Sequence, residues 1–233
     1  RQAYMAGSAV KMAAEEARDQ LMAAVADALE ADAVDLACAD GKVYVRSAPE
    51  RALPFEEAAM YAVHCDKNVM VMGRGTFAPV TNCPPFLAQF AHVEVDTETG
   101  EVKVLKLVCA HDIGRAINPQ ICEGQIEGGA GQGIGYALIE DLVVDPATCL
   151  PRNANIVDYR IACSEDMPDE TVPIIVESNE PTGPWGAKGL AEPALVGIAP
   201  AIANAIADAT GVAVKSLPIN AERLLARLKE KQD

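Results

Sequence analysis

The segment Gly124-Gln125-Ile126-Glu127-Gly128-Gly129-Ala130-Gly131-Gln132-Gly133-Ile134-Gly135 sets carboxamides among glycines, a combination that could bind a polar ligand. No frame of it satisfies G-x-G-x-x-G, and the chain has no G-x-x-x-x-G-K-[ST], so neither nucleotide fingerprint is met. Gly124, Gly128, Gly131 and Gly135 are spaced for one face of a helix, and Gln125 and Gln132 likewise share a face. Each glycine costs such a helix about 1 kcal/mol relative to alanine. That penalty fits close packing of a second helix, and it fits equally the approach of a bulky ligand. Gln125 would offer such a ligand both a donor and an acceptor, although an isolated glutamine is also at home in water.

A second candidate is the loop Gly183-Pro184-Trp185-Gly186-Ala187-Lys188-Gly189-Leu190-Ala191-Glu192-Pro193, which holds the only tryptophan. Glu192 directly precedes Pro193, a natural first residue of a helix. A carboxylate there meets the positive end of the helix dipole and is favoured in its charged form, as a general base requires. An ordinary N-terminal cap would use the same residues. His111-Asp112 could be an oriented imidazole or only a turn, and His64 and His92 are isolated. The chain has no G-x-S-x-G elbow and no H-E-x-x-H.

The elements that must position these residues are of mixed type. Apolar spacing predicts a helix over Ala6–Ala31, and Asp40-Gly41 predicts a turn into a strand over Lys42–Arg46. A helix is predicted over Pro54–Val63, and alternation over Asn68–Gly73 leads into a bend at Gly73-Arg74-Gly75. The alternating runs 91–96 and 102–108 around Thr97-Glu98-Thr99-Gly100 predict a hairpin. Further strands are expected over Ile139–Val144 and Thr171–Glu177. Helices are expected from Asn118-Pro119 to about Ala137, from Pro193 to near Gly211, and over Ala221–Lys229. Strands and helices do not alternate regularly, so the expected class is α+β, with layered mixed sheets and packed helices.

Composition excludes several functions. Of 233 residues 50% are hydrophobic, enough for a packed core, and the formal charge of −15 without Lys/Arg clusters argues against nucleic acid. No apolar run is expected to reach the roughly 20 residues of a membrane span. Seven scattered cysteines lack CxxC spacing, which points to free thiols in a reducing, cytoplasmic setting and against a zinc or iron–sulfur site in this chain. The chain begins at Arg1 and not at methionine, so the lack of a targeting segment says little.

In order and spacing these segments resemble the carboxy-terminal part of the molybdenum hydroxylases, the xanthine dehydrogenase and aldehyde oxidase family. The resemblance rests on Arg1-Gln2-Ala3-Tyr4-Met5-Ala6-Gly7-Ser8-Ala9-Val10, Val93-Glu94-Val95-Asp96 with Thr99-Gly100-Glu101-Val102, and His111-Asp112-Ile113-Gly114-Arg115-Ala116-Ile117-Asn118-Pro119. It continues through Gly124-Gln125-Ile126-Glu127-Gly128, Gln132-Gly133-Ile134-Gly135 and Gly186-Ala187-Lys188-Gly189-Leu190-Ala191-Glu192-Pro193. It implies the C-terminal molybdopterin-binding domain over 1–233, with subdomain boundaries near 40–110 and 111–233. It also implies a molybdenum held by a pterin, often as molybdopterin cytosine dinucleotide, with no direct protein ligand to the metal. Glu192 would be the general base, and Gln125, Arg1, Gln2, Lys188 and Gly189 would contact the cofactor. The family glycine before the glutamate is Ala191 here, which restricts the loop slightly.

Family catalytic polypeptides are several times longer. The resemblance therefore implies a larger molybdopterin-binding subunit or missing portion, with 2Fe-2S and FAD subunits as further partners, as in the nicotinate dehydrogenase type. The implied reaction is hydroxylation of an N-heterocycle or aldehyde with oxygen from water. The alternative is a structural or interaction subunit that keeps the fold without the chemistry.

Overall fold

The computed structural model describes residues 2–65, 68–79 and 82–232. They form two compact units, Arg1–Asn82 and Cys83–Asp233. Position 110 lies inside a continuous strand, Val102–Asp112.

In the first unit a π-helical turn, Gln2–Ala6, leads into α1 (Gly7–Val25). The helix stops short of Ala31, and Glu30 takes a left-handed φ of 44° in the turns that follow it. Strands β1 (Leu36–Ala39), β2 (Lys42–Val45) and β3 (Ala48–Pro54) form an antiparallel sheet, with Asp40-Gly41 turning between the first two as expected. Helix α2 (Phe55–His64) follows Pro54, with Glu56 and Glu57 in the first turn where the dipole favours them. Alternation along β2 buries Val43 and Val45, which join Leu36, Val25, Leu29 and Ala58 in this unit's core.

The expected alternating strand over 68–73 does not form. Its backbone is taken up by α1: Met72 N–H donates to Gln20 Oε1 (2.9 Å), and Gln20 Nε2 donates to the Met72 carbonyl (3.0 Å). Arg74 N–H donates to Glu16 Oε2 (2.6 Å). Gly73 and Gly75 lie against the α1 backbone at Ala13 and Ala9, where a Cβ would collide with carbonyl oxygens.

The second unit contains the expected hairpin, β4 (Leu87–Val95) and β5 (Val102–Asp112), antiparallel with a bulge at His92/Val93. β6 (Glu170–Val176) pairs with β5 in parallel, which makes the sheet mixed. α3 (Pro119–Ile134), α4 (Glu192–Val196), α5 (Ile198–Thr210) and α6 (Ala221–Gln232) supply the helical layer. Ile198, Ile202 and Ile206, each one turn apart, are fully buried with Leu107, Cys109, Ile126, Ile134 and Leu224. This is the expected α+β arrangement of mixed sheet and packed helices.

Two expectations fail in this unit. Ile139–Val144 is not a strand: a π-helical turn covers Gly135–Ile139, and beyond it Val144 makes one isolated bridge to Pro151. Asp145 turns the chain there by accepting from the N–H groups of Ala147 (2.9 Å) and Thr148 (3.0 Å), so no ladder extends. The helical stretch Glu192–Thr210 is also long and apolar enough to meet the criteria for a membrane span, contrary to the sequence expectation. One face of it, the row Ile198, Ile202 and Ile206, packs into this unit's own core.

Candidate active site

α3 starts where Asn118, in extended conformation, accepts at Oδ1 from Ile121 N–H (3.1 Å), with Pro119 in the first turn. It packs on α4 and on the start of α5. A Cβ on Gly129 would collide with the Ala194 Cβ, and one on Gly133 with the Ile198 Cβ. Both contacts advance four residues on each side, so the helices run parallel at close range. Gln125 lies one turn before Gly129, and Glu192 two residues before Ala194. The two side chains therefore sit toward the same end of the packed pair, and both residues are exposed.

The glycine spacing seen in the sequence thus has two meanings. Tight packing occurs at Gly129 and Gly133, which are outside the stripe 124/128/131/135. Within that stripe, a Cβ at Gly124 or Gly128 would meet nothing within 4 Å among the described residues, whereas Met167 and Glu140 cover Gly131 and Gly135. At 3.6 residues per turn, Gln125 falls between the open face and the packed one.

The loop before Glu192 is fastened to the ends of β5 and β6. Asn179 N–H donates to the Gly114 carbonyl (2.8 Å), Glu180 N–H to that of Gly186 (2.9 Å), and Lys188 N–H to that of Ile113 (2.8 Å). Trp185 is exposed and holds a left-handed φ of 51°. Lys188 was expected at the cofactor, but its ammonium is committed within the chain. It donates to Asp112 Oδ2 (2.7 Å) and the Pro84 carbonyl (3.2 Å), and it lies 5.4 Å from the centre of the Phe86 ring. The side chains of Lys188 and Asp112 are 6% and 11% exposed, so this is a buried ion pair.

Asp112 also accepts from Ser178 Oγ (2.7 Å) and Gly114 N–H (3.0 Å). Burial pushes its carboxyl upward, but the hydrogen bonds from Lys188, Ser178 and Gly114 outweigh it and hold the group below its ordinary value. The adjacent His111 is 1% exposed, and burial lowers its pKa, so it stands neutral. His111 Nε2 lies 3.1 Å from Gln89 Nε2, which also donates to the Ala194 carbonyl (2.8 Å). With Gln89 Nε2 as donor, His111 Nε2 is the acceptor.

Of the remaining expected residues, Gly189 is half-buried ahead of Glu192, and Gln2 is exposed in the first unit's opening turn. Arg1 lies outside the described residues. His64 and His92 are exposed. Among the described residues no group of three or more His, Cys, Asp or Glu side chains could hold a metal ion. Sequence reasoning missed Gln89 altogether, since one glutamine on an alternating strand carries no signal. It flagged His111-Asp112 without finding their partners.

Known proteins give this geometry a context. Residues 1–168 match the molybdopterin cofactor-binding domain model. The chain is 34% identical over 226 residues to the xanthine dehydrogenase molybdenum-binding subunit of Escherichia coli O157:H7, covering 96% of this chain and 30% of that protein. It is 33% identical over 239 residues to the nicotine 6-hydroxylase large subunit of Paenarthrobacter nicotinovorans, covering 98% of this chain and 29% of that one. Among solved structures, quinoline 2-oxidoreductase from Pseudomonas putida 86 superposes with a TM-score of 0.89 at 28% identity, over 99% of this chain and 30% of that chain. The chain therefore spans about three-tenths of the length of these relatives. It belongs to the molybdopterin cofactor-binding domain family of the molybdenum hydroxylases.

Proposed function

We propose that this chain forms one side of the active site of a molybdenum-dependent hydroxylase, with Glu192 as general base and Gln125 as a cofactor contact. The observation that carries the proposal is the parallel packing of α3 on α4, which brings Gln125 and Glu192 to one exposed end. The open backbone at Gly124 and Gly128 fits a flat ligand with polar edges, because no side chain among the described residues fills that space. Beside it, the Gln125 carboxamide can donate to and accept from a pterin edge.

When bound, the molybdenum–pterin group supplies the two-electron oxidation of an electron-poor carbon. The part of this chain is proton transfer. A Glu192 carboxylate oxygen takes up the proton released as water-derived oxygen is added to the substrate carbon. Glu192 stands exposed in the first turn of α4, where the helix terminus favours its charged form.

The substrate class is an N-heterocycle or an aldehyde, and the cofactor is the cytosine dinucleotide form. The substrate class is in keeping with the names of the relatives, which include a xanthine dehydrogenase, a nicotine hydroxylase and an aldehyde oxidoreductase, and the form of the cofactor rests on the family resemblance alone. The remainder of the site comes from a larger molybdopterin-binding portion, with 2Fe-2S and FAD subunits as electron carriers. Relatives named as a molybdenum-binding subunit and as a dehydrogenase complex subunit support an assembly of several chains. A cytoplasmic location is in keeping with seven free cysteines.

Glu192→Gln keeps the side-chain shape and removes the base. In the assembled, molybdenum-loaded complex it is expected to slow reduction by substrate about 10²- to 10⁴-fold while molybdenum content holds. Near-wild-type reduction would refute the role. Absence of stoichiometric molybdenum from the wild-type complex would favour the interaction-subunit alternative.

A further inference from the structure

We infer that His111 and Asp112, with Gln89 and Lys188, are positioning residues that clamp the Glu192 segment from both sides; this rests on Glu192 being the base. Consecutive strand residues point to opposite faces of a sheet, so one dipeptide at the end of β5 can serve two anchors. On one face, Leu107, Cys109 and His111 alternate into the core. Gln89 pairs across the ladder with Cys109, which sets its side chain on that same face beside His111.

From there Gln89 Nε2 donates to the carbonyl of Ala194, two residues after Glu192. On the other face, Asp112 receives the ammonium of Lys188, four residues before Glu192, and Lys188 N–H bonds the Ile113 carbonyl. The segment from Lys188 to Ala194 is thus held at one end by Asp112 of β5 and at the other by Gln89 of β4, whose carboxamide lies beside His111, with exposed Glu192 between.

The clamp is built at some cost. His111 Nδ1 and Gln89 Oε1 are buried without a hydrogen-bond partner among the described residues. A Cβ at Gly197 would collide with Gln89 Oε1, so the break between α4 and α5 leaves room for this carboxamide.

The test uses the assembled, molybdenum-loaded complex with Gln89→Met, which keeps side-chain length and removes the donor to Ala194. The double variant Asp112→Asn with Lys188→Met opens the other anchor without leaving a lone buried charge, and serves if the first does not assemble. Glu192→Gln is measured in parallel. The reductant is whichever of xanthine, quinoline, nicotine or benzaldehyde reduces the wild type fastest. Two quantities are read: the limiting reduction rate per molybdenum against substrate Kd, and hydrogen exchange of the amides over 188–198.

The expected result is a limiting rate about 10²-fold lower with Kd little changed, since small misplacements of a reacting group act on the chemical step. Exchange over 188–198 is expected to quicken, with molybdenum content retained. A wild-type rate, or a slowed rate with unchanged exchange, overturns the clamp while a slow Glu192→Gln keeps the base. A fast Glu192→Gln overturns the base and the clamp with it.

Discussion

The two sides of α3 make opposite use of the same residue. At Gly129 and Gly133 the missing side chain lets a neighbouring helix come so close that even a methyl group would collide. At Gly124 and Gly128 nothing among the described residues lies within 4 Å of an added Cβ. Loss of helix propensity is similar at all four, so only the packed pair recovers it inside this unit. The open pair is the face to which the proposed cofactor contact is assigned. A glycine-rich helix can therefore be two surfaces, one joining the unit together and one facing a site that other parts complete.

Breaking the packed side has the largest expected effect on stability. Gly133→Ala forces a methyl into Ile198, and Gly129→Ala one into Ala194. Each is expected to destabilise by about 1–3 kcal/mol as the helices separate, measurable by urea unfolding. Gly128→Ala and Gly124→Ala sharpen the comparison by changing sign. With nothing within 4 Å, each should stabilise the isolated chain by up to about 1 kcal/mol. In the complex the same substitutions should lower molybdenum occupancy. Unchanged occupancy would count against a cofactor on that face.

The smallest effect concerns pH behind the packed side. Burial lowers the His111 pKa, so between that value and the ordinary one near 6.5 the unfolded chain binds a proton that the folded chain refuses. Stability should therefore fall as pH drops below about 6.5, and His111→Gln should flatten this part of the profile. Asp112 is held below its ordinary value. Its contribution is present above the usual carboxylate range and is lost only as pH falls through its folded value, in a second and more acidic step. Thermal melts across pH would separate the two.

Much of this was legible in the chain because it depends on local periodicity. The hairpin from 91 to 108, the α5 isoleucines and the Asp40-Gly41 turn all follow from spacing that dictates which face is buried. The two glycine faces were only half legible: helical spacing grouped 124, 128, 131 and 135, but contact with Ala194 and Ile198 chose 129 and 133. Tertiary partners decided the rest. Residues 68–73 alternate like a strand, yet Gln20 and Glu16 of α1 claim their backbone groups. Lys188 is cationic in a loop beside a candidate base, yet Asp112, 76 positions away, takes its charge. Gln89 reaches Ala194 across 105 positions, a pairing that no local pattern encodes.

The decisive measurement is an experimental structure of the molybdenum-loaded complex. The pterin is expected to lie along the Gly124/Gly128 face within hydrogen-bonding reach of Gln125, with the Glu192 carboxylate turned toward the metal. A protein side chain filling that face, with Glu192 pointing into bulk solvent far from the pterin, would contradict it.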